Sequence, residues 1–207
     1  MRFVLLAAAA IGPQAAPLNI LNPSFELGPG QFGTAWQGTC GSCGVYIDSG
    51  FDFTPGPPDG TRTLYVNQTV GVHQVLSDVA LPNMVYTIDV MVGDRLFVPF
   101  GGSTMRLYAG STLGTATLLA QVVDLTSPGD GLFAAHSLSF TTPGSAAYLG
   151  QNLIVWLGGA INGSVQTHYD MVVGDVTPTP EPGAWVMVGG AIAFIAGRRI
   201  NRRAPIA

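Results

Sequence analysis

From Pro17 to Val176 the chain holds no hydrophobic pattern beyond one short run before Gly, Pro, Asn or Asp breaks it. Punctuation this dense suits strands and turns and leaves little room for helices of ordinary length. The 207 residues include 28 Gly and 15 Pro, and only 10% are charged, while 47% are hydrophobic, which argues against disorder. Alternating runs predict strands at Thr63–Asn67, His73–Leu81, Val85–Val92, Thr104–Ala109, Leu118–Leu125, Ala135–Phe140, Leu153–Leu157 and Thr167–Val176. The connectors carry turn residues, such as Pro57-Pro-Asp-Gly60, Pro82-Asn83 and Ser127-Pro-Gly-Asp-Gly131. Strands at this spacing predict one all-β domain over residues 17–176, built as a β-sandwich or barrel.

Charge narrows the partners. The chain has eight Arg and no Lys, and four of those Arg sit among the last ten residues. Between Pro17 and Pro180 only Arg62, Arg95 and Arg106 face eleven carboxylates. So acidic a body lacks the cations that phosphate backbones need, which excludes nucleic acid as a partner.

Both ends read as targeting segments. Met1-Arg2, an apolar run from Phe3 to Ile11 and the small residues up to Ala16 have the parts of a secretory signal peptide, residues 1–16. At the other end Thr177-Pro-Thr-Pro-Glu-Pro-Gly183 favours an extended linker. Ala184 to Gly197 is apolar, and Arg198, Arg199, Arg202 and Arg203 follow it. An apolar segment with clustered Arg behind it predicts a membrane helix over 184–203 with a cytoplasmic tail. The order Pro180-Glu181-Pro182, apolar helix, Arg cluster resembles the PEP-CTERM sorting signal. That resemblance implies recognition by an exosortase, a membrane processing protease, and passage through the inner membrane. The precursor would be membrane-anchored, and the mature form would lie at the cell surface or be secreted.

The body carries a second resemblance. Asn19-Ile-Leu-Asn-Pro-Ser-Phe-Glu26, Trp36, Pro58-Asp-Gly60, Gln74-Val-Leu76, Val92-Gly-Asp-Arg95, Leu107-Tyr-Ala-Gly110 and Tyr169-Asp170-Met-Val172 follow one another in order. Together they are similar to galactose-binding-like, carbohydrate-binding jelly rolls. This implies a jelly-roll β-sandwich and a structural calcium where first and last strands meet, with Glu26 and Asp170 as its carboxylates. Calcium takes six to eight hard oxygen ligands, so backbone carbonyls would complete the shell.

The remaining chemistry-bearing residues are sparse. Cys40 and Cys43 are the only cysteines. In an exported chain a local disulfide is expected, against a redox pair or half of a zinc site. His73, His136 and His168 are scattered on predicted strands, which suits packing better than ligation. Trp36, Phe51 and Phe53 are candidate glycan contacts, whereas Trp156, inside an apolar run, is expected in the core. The leading expectation is therefore a non-enzymatic envelope or matrix protein with extracellular polysaccharide as its partner. The alternative is an enzyme, because calcium-containing cyclases of natural-product pathways look like this jelly roll. Asp94 and Tyr108 would then be the acidic and aromatic residues acting on an apolar substrate.

Overall fold

The computed structural model describes residues 14–28, 32, 34–38 and 41–179. Eleven strands follow in chain order: β1 Ala16–Pro17, β2 Gln37–Gly38, β3 Cys43–Ile47, β4 Arg62–Asn67, β5 Gly71–Val79 and β6 Met84–Gly93. Then come β7 Ser103–Ala109, β8 Thr117–Asp124, β9 Phe133–Thr141, β10 Asn152–Gly159 and β11 Gln166–Pro178. All strand pairings are antiparallel. One sheet runs β3-β4-β11-β6-β9 with β1 against β11, and the other runs β2-β5-β10-β7-β8. The result is the expected jelly-roll sandwich, with every predicted strand present within a few residues of its expected bounds.

Period-two burial builds the core. Along β6, Tyr86, Ile88, Val90 and Val92 are buried while Thr87, Asp89 and Met91 are only half-buried. Leu64 and Val66 of β4 and Tyr169 of β11 join them from the same sheet. Leu153, Val155 and Leu157 of β10 and Met105, Leu107 and Ala109 of β7 meet them from the other. The alternate residues of β10, Ile154 and Trp156, point away from the second sheet and are still buried. Trp156 lies flat on that sheet. A Cβ added at Gly158 or Gly71 would come within 2.2 or 2.4 Å of its ring. The Arg106 guanidinium stacks 4.3 Å above the ring. Trp156 is thus packed, as expected, but on the sheet's outer face rather than between the sheets.

Trp36 belongs to the interior. It is 4% exposed, its ring centroid lies 5.1 Å from that of Phe25, and its indole N–H donates to the Asn22 carbonyl. It offers no ring face to a glycan. The two ends of the domain meet, since Ala16 pairs with Val176 and Pro17 with Asp175. β11 continues through Thr177 and Pro178 beside Met84, two residues into the stretch expected as linker. Pro180, Glu181, Pro182, Arg198, Arg199, Arg202 and Arg203 lie outside the described residues, as do residues 1–13 and Cys40. Cys43 is buried at the start of β3 and disulfide-bonded.

Candidate functional site

The outward face of the first sheet carries the densest chemistry. Register lines up Gly44, Tyr65, His168, Gly93 and Phe133 in one row across β3, β4, β11, β6 and β9. The next row brings Tyr46 opposite Thr63. Two glycines in the first row leave a shallow hollow. Residues 48–61, the connection from β3 to β4, fold over it and insert Phe53, which is 2% exposed. The Phe53 ring sits 4.7 Å from Phe133 and 5.0 Å from His168, centroid to centroid.

An ion pair lies beside these rings. Arg95 Nε donates to Asp52 Oδ1 at 3.0 Å, and its guanidinium stacks 4.3 Å over the Tyr46 ring. The Tyr46 hydroxyl donates to Asp52 Oδ2. Burial and that hydrogen bond push the Tyr46 hydroxyl up to about 12, so it keeps its proton. The same bond, aided by Arg95, holds the Asp52 carboxyl below the usual carboxylate range. His168 is completely buried, and burial, with Arg95 nearby, pulls it down to about 3. Its imidazole is therefore neutral. Gln166 Oε1 lies 2.7 Å from His168 Nε2 and 3.5 Å from Arg95 Nη1, while Gln166 Nε2 donates to Asn67 at 3.0 Å. With the amide oxygen turned towards Arg95, the proton sits on Nε2, and Nδ1 accepts from the Thr63 hydroxyl at 2.7 Å. A groove of about 350 Å³, lined in part by Asn67, Gln68, Val98 and Gln166, runs up to this network.

The site thus combines a protonated phenol, a carboxylate, a guanidinium and a neutral imidazole behind aromatic walls. It can move a proton to or from an apolar molecule, and its rings can face a developing positive charge. Of its members the sequence singled out Phe53 as a glycan contact, His168 as a packed histidine and Arg95 as the end of the Val92-Gly-Asp-Arg95 match, without joining them. Phe51, the neighbouring loop aromatic, is 79% exposed. Tyr46 and Asp52 lie six residues apart, but Arg95 and His168 come from two distant stretches of chain, so spacing could not join all four. The available signal was the long Gly- and Pro-rich connection at 48–61 carrying one mid-loop Asp between aromatics.

Other candidates fall elsewhere. Asp94, the neighbour of Arg95, is 3% exposed and accepts from the Ser127 hydroxyl. Burial raises its carboxyl, and its Oδ1 has no partner among the described residues. Tyr108 lies on the other sheet beside Arg106, so Asp94 and Tyr108 do not form one site. Ser103, His136 and Asp124 have the composition of a nucleophilic triad. Ser103 Oγ and Asp124 Oδ2 both approach His136 Nδ1, at 3.0 and 3.7 Å, and Ser103 is 1% exposed. A triad needs the two partners on opposite ring nitrogens, so these residues are structural. His73 is opposite Trp156, and burial lowers its imidazole.

Glu26 and Asp170 converge on one turn. Glu26 Oε1 accepts from Thr61 N at 2.8 Å and Arg62 N at 2.6 Å. Asp170 accepts from Asp59 N at 2.9 Å and Met171 N at 2.8 Å. Asp170 is fully buried. Burial first, and then the charges of Asp59 and Glu26, raise its carboxyl to about 7. Among the described residues no group of three or more His, Cys, Asp or Glu is arranged to hold a metal ion. A cation here would need carbonyl oxygens for most of its shell.

A half-buried ion pair beside aromatic rings, under the 48–61 connection, offers a polymer no open aromatic platform. The chain belongs to the HpiC1-like family (HpiC1 cyclase), whose sequence model matches residues 16–173. The structure is similar to that of an apo-form cyclase from Fischerella sp., with TM-score 0.69 and 22% identity over 80% of this chain and 98% of that one. It is similar to the Stig cyclase Fisc from Fischerella sp. TAU in complex with (3Z)-3-(1-methyl-2-pyrrolidinylidene)-3H-indole. There the TM-score is 0.69 and the identity 20%, over 81% of this chain and 100% of that one. The CBM22-1 xylan-binding domain of Paenibacillus barcinonensis Xyn10C shares the fold, with TM-score 0.52 and 14% identity over 83% of this chain and 100% of that one. Among curated proteins none matches the chain.

These findings correct the leading expectation. The likeness to carbohydrate-binding jelly rolls holds for the fold, but the family is one of cyclases, so the non-enzymatic reading is overturned. With it go exosortase and extracellular polysaccharide as partners. The physical reason is visible in the aromatics: Trp36 and Phe53, expected to meet glycan, are both buried.

Proposed function

We propose that the protein is a cyclase that closes a ring on a small, largely apolar substrate at the outward face of the first sheet. The observation that carries this is the half-buried Tyr46–Asp52–Arg95 network set directly beside Phe53, Phe133 and His168. Cyclisation without redox chemistry needs a proton delivered, a positive charge sheltered and a proton removed. Tyr46 supplies the proton, the aromatic walls supply the shelter, and the Asp52 carboxylate draws the proton back through Tyr46. Neutral His168 fixes Gln166 and through it the Arg95 side chain. The expected substrate is an indole with an unsaturated side chain, because the similar Fischerella cyclases are seen with indole compounds bound. The test is conversion of such an indole to an isomer of unchanged mass in ordinary water, with one deuterium gained at carbon when the reaction is run in deuterated water. Tyr46→Phe should lower kcat on the order of a hundredfold or more. Unchanged turnover in that variant, or product formed equally without protein, overturns the assignment.

The residues also suit calcium. A fully buried carboxyl flanked by two further carboxylates, with no Arg or His of the described residues bridging to it, is costly unless a cation or a proton offsets it. Glu26 and Asp170 would hold the ion with carbonyls of the opening segment and the turn at 59–61. Bound there, calcium supplies charge balance and a clamp rather than chemistry. The signal peptide expected over residues 1–16 supports a protein that works outside the cytoplasm, where free calcium is plentiful.

A further inference from the structure

We propose that the slot now filled by Phe53 is the subsite for a planar aromatic ring of the substrate, and that residues 53–58 lift to admit it. This deepens the cyclase reading above and rests on it.

The slot is an aromatic cleft in its own right. Phe53 packs against Phe133 at 43° and stands edge-on to His168 at 71°. Gly93 forms its floor, and a Cβ there would lie 2.5 Å from the Phe133 ring, so only glycine lets that ring lie so close to the strand. The slot is not part of the inter-sheet core. Beneath it Val92 and Tyr169 close the sandwich, and Phe53 is not among the residues packed with them. Removing the Phe53 ring would leave the sandwich intact and open a ring-sized space within reach of Tyr46 and His168.

The segment that carries Phe53 is held lightly between fixed ends. On one side Asp52 is latched by Arg95 and Tyr46, and its carbonyl accepts from Leu96 N at 3.2 Å. On the other, the amides of Asp59, Thr61 and Arg62 are bound by Asp170 and Glu26. Between them runs Phe53-Thr-Pro-Gly-Pro-Pro58, in which three prolines have no N–H to donate. Its one backbone bond from an N–H is Thr54 N to the Gly131 carbonyl, at 2.9 Å. Gly56 sits at φ +126° with open space where a Cβ would stand, so it can take up the rotation. A planar ligand ring would regain the stacking that Phe53 gives up, which keeps the exchange close to balanced. Asp52 stays latched throughout, so the proton-handling groups are in place when the ring arrives.

The experiment uses the full chain and 4-(1H-indol-3-yl)butan-2-one as the probe, with two readouts. The first is affinity in wild type, Phe53→Ala and Phe53→Leu. Removing the competing ring should tighten binding on the order of tenfold in Ala and less in Leu. The second is amide exchange at Thr54 in the wild type, which should speed up when the probe binds. A small aromatic filling a mere cavity in Phe53→Ala would leave wild-type Thr54 exchange unchanged. That result overturns the proposal, as does equal affinity across the variants or no binding at all. Turnover of an indole by wild type, with Thr54 still protected, would keep the cyclase reading and remove the slot.

Discussion

His168 and Asp170 sit two residues apart on β11, face the same way, and respond to acid in opposite directions. His168 has its imidazole lowered to about 3, so between there and its ordinary range near 6.5 the unfolded chain binds the extra proton. Its contribution to stability therefore falls as pH drops below about 6.5. Asp170, raised to about 7, takes up a proton in the folded state first, so in the absence of calcium its contribution grows as pH falls from about 7 to about 4. The two slopes oppose each other in the calcium-free protein. Calcium would hold Asp170 ionised and remove the compensation. Melting curves from pH 7 to pH 4.5 should then be flatter in chelator than in millimolar calcium, with the calcium form the more stable at pH 7. Parallel curves would remove the calcium site. That Glu26 and Asp170 meet at one turn was legible in the sequence because each belongs to a recognisable motif at one end of the domain. The surroundings of His168 were not, since nothing in its sequence neighbours shows that Arg95 and Asp52 approach it from two connections.

At the scale of elements, the long strands were plain in the sequence and the short ones were not. β4 to β11 alternate or run apolar for long enough to declare themselves. β1 and β2 are two residues each and exist only because a neighbour offers a ladder, while β3 is broken by Gly44. β10 shows how a run of apolar residues can conceal two environments. Leu153, Val155 and Leu157 face the core, while Ile154 and Trp156 are buried on the opposite side. Trp156 there depends on bare backbone below and Arg106 above. Gly158→Ala would drive a methyl into the indole and should cost about 1–3 kcal/mol of stability, read as a lower denaturant midpoint. Arg106→Ala should uncover the ring, shifting its fluorescence to the red with a smaller loss of about 1 kcal/mol. An unmoved emission maximum would show that something other than the guanidinium covers the indole.

For the whole molecule, the sequence pointed to a destination more clearly than to a task. The expected targeting segments rest on composition and fall almost wholly outside the described residues, whereas the pocket is assembled from β3, the 48–61 connection, the stretch after β6 and β11. Only the folded register puts these side by side. The same register separates functions along the sandwich. The pocket lies where β6 ends at Gly93, and the described ends of the domain lie where β6 begins, beside Met84. Ten strand residues span about 30 Å between them.

The pairing of Ala16 with Val176 means that the domain is nearly a closed loop of chain. A short bridge from Pro178 back to Ala16 would let the sequence begin elsewhere, and the exposed turn at Ser111–Gly114, between β7 and β8, is a natural place to cut. A circular permutant opened there should fold and still bind an indole. One opened at Gly56 should fold but lose the tether that returns Phe53 to its slot. The order in which the strands are synthesised would then be free to change, while the connection over the pocket would not.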